Sequence, residues 1–475
     1  MPPSDLNGQL ERTLAPRGQQ HLLRWWDELT DEQQADLHSQ VQLVPWELVD
    51  AVLPTHVLGR PPVVVPAHLD PAPIHSKSDL LADPGHSGRI VSQGKELLAG
   101  GKVAALTVAG GQGTRLGFEG PKGMFPVTPV RRQTLFGLFA EMVRAARTRY
   151  AVPIAWYVMT SEANHGPTVA YFEQQRFFGL RREEVVFFTQ GMLPAFDFQG
   201  RVLMADKHRI ALAPDGHGGT LRALAASGAL TDLRRRGVEV LSYFQIDNPL
   251  AQPFDPMFIG LHAETGSEAS TKVTPKVADD EKVGVACLAD GRLRVIEYTE
   301  FPPNLTGSRF PDGRRRFDAG NLAIHLFDVA FVERLVGTTF QLPLRRAEKI
   351  VPYIGEDGSP CKPRTPNAVK LEMFIFDVLP LARNPLVLEV ERADEFAPVK
   401  NANGADSLET SQRAQVERCA RWLEKAEVPV PRRPTGECDL VVEMTPQFAL
   451  DAEDVICNRH RIPPLRPGSS ICLDA

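Results

Sequence analysis

One short stretch constrains this chain more than any other: Val108-AGGQGTRLGFEGPKG-Met124, which directly follows the apolar run Val103–Val108 (VAALTV). A short unbroken apolar run closed by glycines reads as a buried parallel strand, so the loop opens from a strand's carboxyl end. Gly110, Gly111, Gly113 and Gly117 remove side chains that would keep a ligand away from main-chain amides. Arg115 and Lys122 add positive charge. An arginine can grip two oxygens at once, whereas a lysine acts as a point charge. Polyphosphate is the ligand such a loop suits best.

Two commoner glycine motifs do not fit. A Walker loop needs G-x-x-x-x-G-K-[ST], and no lysine here follows its glycine in that frame. A dinucleotide fingerprint needs G-x-G-x-x-G, but Gly117 comes one residue late after Gly113. The next strand closes in Met159-Thr160, without the acid that would hold a ribose.

Around the loop, apolar strands alternate with amphipathic helices from Gly88 to about Leu381. Strands are expected in Ile154–Thr160, Val185–Thr189 and Val238–Asp247, with a helix over Leu221–Arg236. Between Val103–Val108 and Ile154–Thr160, Leu135, Leu138, Phe139, Met142, Val143 and Ala146 share one helical face. This order predicts an α/β fold with a mainly parallel sheet covered on both faces. Ala289-Asp290-Gly291 marks a β-hairpin insertion between Thr271 and Tyr298. The first eighty residues read as a helical arm, with a capping box at Thr30 and Gln33. LPTHVLGRPPVVVPAHLDPAP has too many prolines for a regular element and reads as a linker. The expected divisions are an arm and linker over 1–90, a main body over 91–385 and a small terminal domain over 386–475. That last part holds a strand in LVLEVE and a helix from Ser407 to Lys425.

Composition narrows the partners. With 53 basic and 59 acidic side chains, the chain lacks the positive field of a nucleic-acid or anionic-membrane binder. No apolar run approaches the roughly 18 residues that cross a bilayer. MPPSDLNGQLERTLAPRG carries acids and no apolar core, so no secretory signal is expected. The six cysteines are scattered without a C-x-x-C pair, as in a reduced cytoplasmic enzyme.

The string A-G-G-x-G-T-R-L-G with a downstream P-K-G resembles the UDP-sugar pyrophosphorylase family, and the flanking QGMLPA and APDG-x-GG strings favour its N-acetylglucosamine branch. The resemblance implies a Rossmann-like (GT-A-like) nucleotidyltransferase fold. It also implies a uridylyltransferase that converts UTP and a sugar 1-phosphate, here N-acetylglucosamine 1-phosphate, into a UDP-sugar and pyrophosphate. By the same resemblance Ala109, Gly110, Gly111, Lys122, Gln190, Gly216, Asp247 and Lys370 meet the nucleotide. An amide such as Gln190 offers one acceptor and two donors, which match the imide edge of uracil. Asp247 would also hold Mg²⁺, a hard cation that prefers oxygen ligands and nucleotide phosphates. His217, Glu300, Asn321 and Lys400 would face the sugar and its phosphate.

The sequence departs from that branch at His217, where the N-acetylhexosamine enzymes usually carry Asn and the UDP-glucose enzymes His. A UDP-glucose or broad UDP-sugar pyrophosphorylase is therefore the alternative within the chemistry. A non-catalytic nucleotide-sugar-binding protein is the alternative outside it. Phe374 and Phe376 read as core aromatics, and Arg314–Arg316 as a solvated loop. In the implied reaction the attacking phosphate is already an anion, so no general base is needed. Positioning and charge stabilisation, with Arg115 and Lys122 foremost, carry the catalysis.

Overall fold

The computed structural model describes residues 6–60, 66–337 and 341–474. The chain forms two compact units, each assembled from segments distant in sequence. The larger contains residues 66–189, 221–337 and 378–474; the smaller contains 6–60, 190–220 and 341–377.

A sheet of eleven strands among the described residues organises the larger unit. In chain order these are β1 (Leu69–Pro71), β2 (His75–Ser76), β3 (Val103–Val108), β4 (Trp156–Thr160), β5 (Val185–Thr189) and β6 (Val240–Gln245). They continue with β7 (Ala269–Pro275), β8 (Val285–Ala289), β9 (Arg292–Ile296), β10 (Ala319–Asp328) and β11 (Leu386–Glu389). The main path runs β2-β11-β7-β10-β6-β3-β4-β5, with β8 carrying β1 and β9 off β10. On that path β10 alone runs antiparallel to its neighbours. The carboxyl ends of β3, β4, β5, β6, β7 and β11 therefore lie along one edge, together with the start of β10. Open α/β sheets bind their ligands outside such an edge.

The continuous apolar strands fold as expected because both sheet faces are covered. The six apolar positions of helix Leu135–Tyr150 are all buried. Phe136, Trp156, Phe172 and Phe244 join them in one core. The β8–β9 hairpin turns at Asp290 and Gly291, both with positive φ, the conformation a tight two-residue turn demands. The single helix expected over Leu221–Arg236 is instead two, Thr220–Ala226 and Ala229–Arg235, broken where Gly228 adopts φ +80°.

The terminal residues also belong to the larger unit. β11 lies inside the sheet between β2 and β7, so the sheet continues past residue 386. Beyond it, helix Leu408–Lys425 and the parallel pair Val441–Met444 with Ser470–Leu473 enclose a core around Trp422, Leu423 and Val442. Glu443 ties this part to the loop before helix Leu135–Tyr150. It accepts from the Val130 and Arg131 amides, each at 2.8 Å, and from the Arg131 guanidinium.

In the smaller unit the N-terminal helices are sewn to residues 195–211. Thr30 and Gln33 make the expected capping box at the start of helix Asp31–Leu43. Gln19 donates to the Gly200 carbonyl and accepts from the Val202 amide, both at 2.9 Å. Gln40 does the same with His208 and Ile210 at 3.1 and 2.9 Å. Each glutamine thus satisfies two backbone groups with its two amide ends. Part of the expected linker is regular after all: Leu53–Leu58 is a π-helical turn and Leu69–Pro71 is β1. Its residues 61–65 lie outside the described residues.

Candidate active site

At the ligand edge of the larger unit, the chain leaves β3 through the glycine-rich loop. The loop folds back on itself, with the Gly113 amide donating to Gly120 at 2.9 Å and the Lys122 amide to Gly111 at 3.0 Å. Gly117 ends a 3₁₀ turn over Thr114–Leu116 with φ +69°. Arg115 is exposed on that turn. Asn164, fully buried, holds the loop from behind: its side-chain nitrogen donates to the Ala109 carbonyl at 2.9 Å and reaches the Gly111 carbonyl at 3.4 Å. Its oxygen accepts from the Ser161 amide at 2.8 Å. With those carbonyls turned to Asn164, the amides of Gly110 and Gly111 have no acceptor among the described residues. Sequence reasoning passed over Asn164. Its only local signal was the cap pattern Ser161-x-x-Asn164, which says nothing about loop carbonyls some fifty residues away.

The same loop brings the Lys122 ammonium to 3.1 Å from Asp247, just beyond β6. Both side chains are nearly buried, 11% and 13% exposed, so the pair is shielded from bulk water. The Asp247 carbonyl accepts from the Val399 amide at 2.8 Å, which anchors the segment that carries Lys400. Asn248 secures that segment further, donating to the Glu395 carbonyl at 2.7 Å and accepting from the Ala397 amide at 3.1 Å. The Lys400 ammonium is 3.6 Å from Asp406 and lies over the Phe396 ring.

Asn321 sits near the start of β10, at the same edge. Its oxygen accepts from the Thr271 hydroxyl at 3.1 Å and the Ala323 amide at 3.2 Å, which leaves its NH₂ to donate elsewhere. Glu300 is half-buried after the β8–β9 hairpin, its amide donating to Glu297. The arginines expected to be a solvated loop are paired: Arg314 with Asp312, Arg315 with Asp279 and Arg316 with Asp70.

The remaining expected site residues belong to the smaller unit. Gln190 is buried, and the Asp215 amide donates to Gly191 beside it. Gly216 has φ +83°, and a Cβ there would lie 2.4 Å from the Met373 carbonyl, so only glycine fits against the strand bearing Lys370. Lys370 is half-buried in that strand, Ala368–Met373, and burial lowers its pKa from the ordinary lysine value.

His217 stacks on Phe374, with ring centroids 5.2 Å apart and planes 6° from parallel. Phe374 is therefore half-buried and acts as a stacking surface, contrary to the expectation of a core aromatic; Phe376 is buried as expected. The backbone amide of Ile375 donates to His217 Nδ1 at 3.1 Å, so Nδ1 carries no proton and the neutral ring keeps its proton on Nε2. Burial, with Arg345 adding to it, lowers the His217 pKa to about 4. Arg345 itself lies over Phe374 and pairs with Asp377. His217 is thus a neutral donor at physiological pH.

Cationic side chains and unclaimed amides therefore collect at the strand ends of the larger unit, and a neutral, stacked histidine lies in the smaller. No group of three or more His, Cys, Asp or Glu side chains is arranged to hold a metal by itself among the described residues. No helix there is long and apolar enough to cross a membrane.

Known proteins match this combination of sheet, loop and charge. The chain is 39% identical over 443 residues to the human UDP-N-acetylhexosamine pyrophosphorylase-like protein 1, covering 89% of this chain and 85% of that protein. It is 34% identical over 427 residues to the UDP-N-acetylglucosamine pyrophosphorylase of Saccharomyces cerevisiae, covering 86% and 89%. The crystal structure of the Trypanosoma brucei uridine diphosphate N-acetylglucosamine pyrophosphorylase, solved with an inhibitor, superposes with a TM-score of 0.81 at 26% identity over 98% of both chains. The family model of UTP–glucose-1-phosphate uridylyltransferase matches residues 76–464. The chain belongs to that family of uridylyltransferases, the UDP-sugar pyrophosphorylases.

Proposed function

We propose that the chain joins UTP to N-acetylglucosamine 1-phosphate, releasing pyrophosphate and forming UDP-N-acetylglucosamine. The observation that carries this reading is the loop after β3, where unclaimed amides lie on the same loop as Lys122, which pairs with Asp247. The reaction joins two anions and builds negative charge on the departing pyrophosphate. Fixed donors and cations aimed at that charge lower the barrier without a general base. Gly110 and Gly111 would receive phosphate oxygens through their amides. The exposed Arg115 would meet the β- and γ-phosphates. Lys122 would serve the α-phosphate, and Lys400 the incoming sugar phosphate. Gln190 would read uracil, with Gly216 and Lys370 also serving the nucleotide; His217, Glu300 and Asn321 would face the sugar.

Magnesium belongs to this reading. It is usually bound by one or two carboxylates plus substrate phosphates, and Asp247 is one carboxylate with a second oxygen beyond the one given to Lys122. Bound there, the ion would supply positive charge to the leaving pyrophosphate. The sugar assignment follows the names of the human and yeast relatives. A second reading, glucose 1-phosphate, is favoured by His217, a neutral Nε2–H donor where the N-acetylhexosamine branch carries Asn. A cytoplasmic setting fits both.

Pyrophosphate release measured with UTP, Mg²⁺ and a panel of sugar 1-phosphates tests the reading. Fastest turnover with N-acetylglucosamine 1-phosphate is expected. Preference for glucose 1-phosphate would establish the second reading, and tight UDP-sugar binding without turnover would replace both.

A further inference from the structure

Within the larger unit, away from the glycine-rich loop, a cavity of about 300 Å³ opens between helix Leu135–Tyr150 and the terminal core. Its walls combine apolar side chains, with Leu81, Val91, Met142, Phe254, Trp422 and Leu450 among them, and charged ones. Cations ring it, and several are held by carboxylates. Lys77 stands 3.6 Å from Asp255, Lys95 3.6 Å from Glu453 and Arg149 2.7 Å from Asp451.

Arg418 is different. Its Nη1 donates to the carbonyls of Leu250 and Asp394 at 3.1 and 3.3 Å, and its guanidinium lies over the Trp422 ring. Its Nε is buried with no hydrogen-bond partner. The nearby Asp394 carboxylate is taken by Arg421 at 2.7 Å, and Glu395 by Lys272 at 2.6 Å. Among the described residues no carboxylate accepts from Arg418. A largely buried cation left without a counterion is destabilising, and an anion brought to it relieves that penalty. Burial accordingly lowers the pKa of Arg418 from the usual guanidinium value.

We propose that this cavity is a second ligand site, which takes a small amphipathic anion with its flat apolar body against Trp422 and Met142 and its charged head at Arg418. The volume is at the lower end of that of small-molecule sites. The site uses none of the residues assigned to the reaction.

The probe is 1-anilinonaphthalene-8-sulfonate, titrated into the full chain with UTP saturating and read by probe fluorescence and by quenching of Trp422, with Trp422→Phe as the control for assignment. One saturable site is expected. The uncharged N-phenyl-1-naphthylamine should bind at least about tenfold more weakly. Arg418→Gln should weaken the sulfonate by a similar factor and close the gap between the two probes. Leu81→Trp, at a position 56% exposed on the cavity wall, should block both without disturbing the core. Equal affinity for the charged and uncharged probes, sulfonate binding unchanged by Leu81→Trp, or complete displacement by UTP would each overturn the proposal. Should Arg418→Gln not fold, the probe comparison and Leu81→Trp still decide it.

Discussion

The carboxyl edge of the sheet in the larger unit and the surroundings of His217 in the smaller are built in opposite ways. At the edge, Lys122 and Asp247 pair at 3.1 Å, and Arg115 reaches solvent. Around His217, charge is removed: burial and the nearby Arg345 keep the ring neutral, and the Ile375 amide fixes its tautomer with one donor. Phosphate transfer needs strong, non-selective electrostatics, whereas telling one sugar from another needs a hydrogen bond whose direction is fixed. Separate regions can tune these two demands independently of one another.

The largest expected effect comes from the edge. Arg115→Ala should lower kcat by about 10²–10³-fold with an unchanged melting temperature, because the side chain is exposed and supports nothing structural. A folded variant that releases pyrophosphate at the normal rate removes Arg115 from the mechanism.

The surroundings of His217 should show themselves next, through pH. His217 has a pKa of about 4 in the folded chain against 6.5 as its ordinary value, so the unfolded chain takes up the proton first on acidification. Its contribution to stability is complete above pH 6.5 and is lost as pH falls toward 4. The loss is on the order of 2–3 kcal/mol, the smaller figure if solvent reaches the ring edge. Denaturant midpoints at pH 7 and 4.5 should therefore fall further for the natural chain than for His217→Asn. Equal losses would mean that the ring is not held neutral by its surroundings.

Asn164→Ala sharpens the comparison from the other side. It touches no proposed substrate, but it frees the Ala109 and Gly111 carbonyls, so kcat/KM should drop and stability should fall by about 1–2 kcal/mol. Loss of stability with unaltered kinetics would make Asn164 merely structural. The smallest effect expected is His217→Asn on sugar choice, a shift toward N-acetylglucosamine 1-phosphate of up to about tenfold in the kcat/KM ratio, the scale of one polar contact. An unmoved ratio would place selection on another residue, with Asn321 the next to examine.

Much of the edge was legible in the chain itself. Val103–Val108 and Val240–Gln245 are short apolar runs that read as buried strands; the glycine loop with Arg115 and Lys122 follows the first directly, and Asp247 follows the second. The broken helix at Gly228 was not legible, because a glycine inside an amphipathic pattern is compatible with either outcome. The arm's attachment was invisible, since Gln19 and Gln40 look like surface residues until their carbonyl and amide partners are brought beside them.

The amino-acid sequence alone determined the parallel α/β core and the glycine-rich loop at a strand end, because apolar period, glycine spacing and strand-end position are properties of neighbouring residues. Only the tertiary structure decided that β10 enters antiparallel, that Asn164 turns the loop carbonyls away from its amides, and that the Ile375 amide fixes the proton of His217. Hydrogen-bond direction and counterion supply depend on residues 53 to 158 positions apart, and no local pattern encodes which of them will meet.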